Sequence, residues 1–177
     1  MIKMMNIIKL SEGRMRMASK KGIVLLTMTI IMISLFIGCG NNTMSKIYND
    51  DSKIANVSDT FGLDESEETI ESGIYKGKLK LSGSGTIWAY ESSTDFDLQV
   101  PYTLSINGGK AKIVLISPDN KVVNLVENTA KATIKGETVL TVPIKKGNNR
   151  IKVVGYEKAD INIELQIDKG TFKKISF

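Results

Sequence analysis

The chain carries few residues suited to covalent chemistry. It has no histidine and a single cysteine, Cys39, which excludes Ser-His-Asp and Cys-His catalysis and His-based zinc sites. Asp95 and Asp97 stand on the same side of one expected strand, whereas a glycosidase pair must bracket its sugar; a wet strand face is the simpler reading. Ser82-Gly83-Ser84-Gly85 lacks the lysine and following helix of a phosphate-binding loop and reads as a turn between strands. The acidic run from Asp64 to Glu71 lacks the glycine and spacing of an EF-hand loop and reads as solvated charge. No catalytic residue, metal or cofactor is expected, and the chain reads as a non-enzyme.

Binding is hinted at in two places. Trp88 and Tyr90 share one strand face opposite Ile87 and Ala89. With Ile87 and Ala89 inward, the two rings would form an exposed platform for stacking on sugars; with Trp88 inward, the only tryptophan belongs to the core. Lys76, Lys78 and Lys80 line one side of another strand. They could meet anionic wall polymers or headgroups, or guard an edge strand against pairing with other chains.

The formal charge of +5 is unevenly placed. Six of the 24 basic residues and one of the 19 acidic ones precede Cys39, so the remainder is balanced at 18 of each. A nucleic-acid partner, which needs a basic footprint on the folded part, is not expected. Residues 40–72 hold two lysines and eight acids among Asn, Ser and Thr, and read as a flexible spacer.

Lys20 and Lys21 precede an uncharged apolar run of sixteen residues, Gly22 to Ile37. A basic segment, a short apolar segment and a small residue are the parts of a secretory signal. Leu35-Phe36-Ile37-Gly38-Cys39-Gly40 resembles the lipobox of bacterial lipoproteins, with Phe36 where that family usually carries Leu. The resemblance covers about the first 40 residues. It implies cleavage before Cys39, a diacylglyceryl group on its sulfur, and a protein anchored at the extracytoplasmic face of the cell membrane. The other reading is an uncleaved membrane helix, for which sixteen residues fall short of the roughly 20 required. Met17-Ala18-Ser19-Lys20-Lys21 opens like an ordinary signal peptide, so Met17 is the expected start.

The elements able to present these residues are strands. Apolar residues recur at every second position after residue 73, most plainly in Ile161, Ile163, Leu165 and Ile167. Strands are expected at 74–81, 86–90, 96–106, 111–116, 122–126, 138–144, 151–154 and 161–167. The segment Ser117-Pro118-Asp119-Asn120-Lys121 should close one hairpin, and Lys145 to Asn149 a second, between 138–144 and 151–154. The stretch Val142 to Val154 resembles the last hairpin of galactose-binding-like and related jelly-roll modules. The expected organisation is a signal segment over 1–38, a tether over 39–72 bearing the lipid, and an all-β antiparallel sandwich of simple or jelly-roll order over 73–177. Its role is that of a cell-surface binding or structural module, with carbohydrate or wall polymer as the candidate ligand.

Replacing Cys39 with Ala should abolish acylation and leave an unprocessed or released chain. Membrane fractionation with N-terminal mass spectrometry checks this; a processed, membrane-retained variant would sink the lipobox reading.

Overall fold

The computed structural model describes residues 41–130 and 138–176. The signal segment and Cys39 lie outside the described residues.

The fold is an antiparallel β-sandwich of seven strands, ordered along the chain as β1 (Thr60–Glu71), β2 (Ile74–Ser92), β3 (Phe96–Ile116), β4 (Val122–Thr129), β5 (Thr138–Ile144), β6 (Gly147–Gln166) and β7 (Thr171–Phe172). Before them come a short helix α1 (Asn41–Ser45), a 3-10 turn (Lys46–Asn49) and a short helix α2 (Asp51–Ile54).

Three strands run through both layers: β2, β3 and β6 span 19, 21 and 20 residues. Their outer halves lie in the first layer, in the order β1-β2-β6-β3-β5. The other halves form the second layer, in the order β7-β2-β6-β3-β4. Register breaks fall close together in all three, between Leu81 and Gly83, between Ile106 and Lys110, and opposite these in the Tyr156–Lys158 excursion of β6. Bulges add twist and bend a strand, so the sheet folds over at this line. The Ser82–Gly85 signal, expected as a turn, is a bend within continuous β2, and the expected strands 96–106 and 111–116 are one continuous β3.

One core fills the space between the layers. It unites Tyr75, Leu79 and Leu81 with Ile87 and Trp88 of the same strand, and Leu98 to Ile106 with Ile113 and Leu115. The Tyr75 ring of the first layer stacks on Phe172 of the second, 5.7 Å between centroids.

Two further expectations are corrected. The hairpin over 111–126 forms, with Ile116 opposite Val122, but β5 pairs with β3 rather than with β6. Residues 145–146 instead arch between the layers. Buried Asn149 holds that arch, accepting from Lys145 N–H at 3.0 Å and donating to the Lys145 and Gly147 carbonyls at 2.6 and 2.8 Å. The tether is also folded across its described part. Ile47, Tyr48 and Ile54 bury themselves against Val114, Ile116 and Val154 on the outer side of the second layer, and the acidic run becomes edge strand β1.

Gly155 marks a close backbone approach at the bend: a Cβ there would strike the Leu81 carbonyl oxygen and lie 3.2 Å from Leu81 Cβ. Gly155→Ala should therefore destabilise the domain by about 2 kcal/mol, read as a lower urea midpoint in the fluorescence of Trp88.

Candidate functional site

In the first layer, alternate side chains point inward to the core and the others form an outer face. The register sets them in rows across the strands. One row runs Glu67, Lys78, Asn162, Ser105, and the next Thr69, Lys76, Glu164, Thr103. Beyond them, Gln99 Nε2 donates to Thr141 Oγ1 at 3.2 Å across β3 and β5.

Ion pairs fix part of this face. Lys78 meets Glu67 at 3.1 Å, Lys80 meets Glu65 at 3.3 Å, and Lys76 meets Glu164 at 3.3 Å. The lysine row is thus neither an edge guard nor a free cationic stripe. The edge of the layer is β1, and its acids and Glu164 neutralise the lysines. Each such exposed pair contributes only about 0.2–1 kcal/mol, so their consequence is order rather than stability. By contrast, the side chains of Thr103, Ser105 and Asn162 make no hydrogen bond to another described residue. They border a shallow depression of 360 Å³; a second, of 210 Å³, lies beside it between Lys80, Asn107 and Asp160.

The aromatic platform does not form. Trp88 is 0% exposed, and its Nε1–H donates to the Lys169 carbonyl at 2.7 Å. The register shift between Thr86 and Trp88 turns both Ile87 and Trp88 inward, which strict alternation does not anticipate. Tyr90 is half-buried, 5.8 Å from Trp88 and 6.3 Å from Phe96 between ring centroids. The three rings pack on one another instead of presenting a flat surface.

A groove of 350 Å³ opens between the β3–β4 turn and the arch before β6. Pro118, Val123 and Pro143 give it apolar walls, and Lys121, Lys145 and Lys146 stand at its rim. Lys145 pairs with Asp95 at 2.9 Å, and the Lys146 N–H donates to the same carboxylate at 2.8 Å. The Lys146 N–H, followed by the Lys145 ammonium, holds Asp95 below the usual carboxylate range. Asp97, the other member of the notional carboxylate pair, lies one pleat further along β3 opposite Pro143.

Two carboxylates, buried Glu68 and half-buried Asp59, are each held by several donors. Glu68 accepts from the Tyr75 hydroxyl at 2.7 Å, from the Ile175 and Ser176 N–H groups at 2.9 Å each, and from the Ser66 hydroxyl at 2.8 Å. Burial pushes its pKa up, but these donors together outweigh burial and hold it below the ordinary value. Asp59 meets the ammonium groups of Lys152 at 3.1 Å and Lys173 at 3.3 Å. Burial raises its pKa as well, and Thr86 and Lys152 more than offset that.

Nothing in their residue types or spacing marks Thr103, Ser105, Asn162, Lys121 and Lys146 as binding residues. The alternation in 96–106 and 161–167 already placed the first three outward; what it lacked was which strands stand side by side.

No protein-family model matches the chain, and no curated protein matches it. Among solved structures, it is similar to a variant of a family 29 carbohydrate-binding module, a structure determined to probe ligand recognition. The two are 12% identical, the match covers 63% of this chain and 82% of that one, and the TM-score is 0.32.

A carboxylate whose folded pKa is depressed gives stability that is present above its unfolded pKa and lost as pH falls through the folded one. Glu68 should therefore cost the domain stability from about pH 5 downward. Glu68→Gln should be less stable at pH 7 and flatter between neutral and acid pH, as measured by urea unfolding at each pH. An unchanged acid limb would remove Glu68 as its source.

Proposed function

We propose that the chain is a lipid-anchored, non-catalytic module that holds a hydroxyl-rich polymer, such as a wall glycan, along the outer face of its first layer. The anchoring part is supported by Gly38-Cys39 at the end of an apolar run that follows Lys20 and Lys21. Met44, which packs with Ile47, Tyr48 and Ile54 on the outer side of the second layer, stands five positions after Cys39. That length of chain spans no more than about 18 Å, so a lipid on Cys39 would keep the folded module close to the extracytoplasmic surface of the bilayer.

The observation that carries the binding reading is the set of uncommitted side chains Thr103, Ser105 and Asn162, flanked by the Lys78–Glu67 and Lys76–Glu164 pairs. A sugar hydroxyl both donates and accepts. Amides and hydroxyls do the same, while ammonium groups donate and carboxylates accept. Rows of such groups on neighbouring strands about 4.8 Å apart suit a ligand that repeats hydroxyls along its length. The ion pairs hold the lysines and glutamates in place beforehand, which lessens the ordering cost of binding.

The test is binding of the full chain, in detergent micelles, to purified wall polysaccharide and to its oligosaccharides. Asn162→Ala combined with Ser105→Ala should weaken binding about tenfold, the loss of one or two hydrogen bonds, without moving the urea midpoint. Unaltered affinity in that variant would overturn the assignment of this face.

A further inference from the structure

The outer face of the first layer continues along β5. Leu140, Val142 and Ile144 point to the core, so Val139, Thr141 and Pro143 share the outward side. At Pro143 this face meets the Ser117–Lys121 turn, and the 350 Å³ groove lies there. We propose that this groove is a second binding site, for a sugar unit bearing an acidic group, either a carboxylate or a phosphate ester.

Three features select that chemistry. The walls made by Pro118, Val123 and Pro143 have no side-chain hydrogen-bonding group; they suit the C–H face of a sugar ring, which is apolar. Lys121 and Lys146 also line the groove, and neither has a carboxylate in salt-bridge range among the described residues, while Lys145 is committed to Asp95 at 2.9 Å. The third feature is Asp119, also at the rim, which accepts from the Ser117 hydroxyl and, at 3.4 Å, from the Lys121 N–H. A simple anion would gain from the lysines but meet Asp119 and leave the apolar walls unused. A neutral sugar would leave two ammonium groups without a partner. A ring carrying hydroxyls and one anionic group uses all three.

The groove is also preformed. The Ser117 N–H donates to the Lys121 carbonyl at 3.0 Å and the Asn120 N–H to the Ser117 carbonyl at 2.9 Å, closing the turn. The opposite wall is fixed by Asn149 and Asp95 through the backbone of Lys145 and Lys146. The two walls touch, since a Cβ on Gly147 would lie 3.0 Å from the Pro118 ring. Little ordering cost remains to be met on binding.

The experiment titrates the full chain in detergent micelles with three probes of matched length: hexuronate oligomers, a glycerol-phosphate polymer and a neutral oligosaccharide. Saturable binding of at least one acidic probe is expected, weakening as salt rises. Lys121→Gln with Lys146→Gln should weaken it about tenfold or more, since each removes one charge-assisted contact. The two acidic probes separate a carboxylate from a phosphate ligand. Lys174→Gln, at an exposed lysine that does not line the groove, should leave acidic-probe binding unchanged. No saturable binding of either acidic probe, or binding that survives the double lysine variant, would overturn the groove as the site. Loss of acidic-probe binding in the Asn162 and Ser105 variant alone would move the site to the polar face and overturn the groove equally.

Discussion

The architecture depends on three backbones passing one another at the bend with no side chain between them. Where β2, β3 and β6 cross the fold line, the space a Cβ would take is filled by a neighbouring carbonyl. The Thr60 oxygen fills it at Gly83, the Leu81 oxygen at Gly155, and the Tyr156 oxygen, 2.6 Å away, at Gly109. Gly83 and Gly109 also hold φ values of +93° and +73°, which a residue with a Cβ rarely adopts. Because the long strands survive the turn, each supplies both layers, and the two inner faces meet as one core without any added connection. The cost appears in β6, where Glu157 and Lys158 both sit at φ of +55° to complete the corner.

That bend leaves the second layer with an apolar outer face that cannot stay wet. Val114, Ile116 and Val154 are buried there, although their neighbours Ile113, Leu115 and Val153 already face the inner core. The segment from Met44 to Ala55 covers them. It is tied down by polar contacts at its end: the Arg150 guanidinium donates to the Ala55 and Asn56 carbonyls at 2.8 and 3.1 Å. Lys152, 0% exposed, donates to the Asn56 carbonyl at 2.7 Å and pairs with Asp59. Burial pushes the pKa of Lys152 down, and Asp59 opposes that. Desolvating such an ammonium costs several kcal/mol when it is left alone, so the segment and the lysine require each other. Tyr48 completes the cover, donating to Glu127 at 2.7 Å with the Lys110 ammonium 4.5 Å from its ring.

Charge follows the same geometry. The excess of acid before residue 72 and the excess of base after it look like separate regions along the chain. In space they are adjacent strands, with Glu65, Glu67 and Asp64 set against Lys80, Lys78 and Lys158. This pairing turns the first layer's outer face into a nearly neutral, ordered array of polar groups. The groove at the β5 end sets Lys121 and Lys146, neither with a carboxylate in salt-bridge range among the described residues, beside apolar surface.

The sequence by itself determined the class of the fold and most of the inner face. Period-two alternation in 96–106 and 161–167 names the core residues correctly, because a half-buried strand admits one phase only. The absence of histidine likewise excludes Ser-His-Asp and Cys-His catalysis, since that follows from residue types alone. What the sequence could not decide was anything set by contacts distant in the chain. Whether Ser82–Gly85 turns or bends depends on the strands alongside, which share the same corner. Trp88 is buried because a bulge opposite Ile151 shifts the phase by one residue, and a bulge leaves no mark in the alternation before it. The segment from 41 to 71 looks disordered by composition, yet it folds because β2 offers Lys78 and Lys80 to Glu67 and Glu65 and the second layer offers Val114, Ile116 and Val154 to its few apolar residues. Those partners lie between 11 and about a hundred residues away along the chain, and only the contacts between strands bring them together.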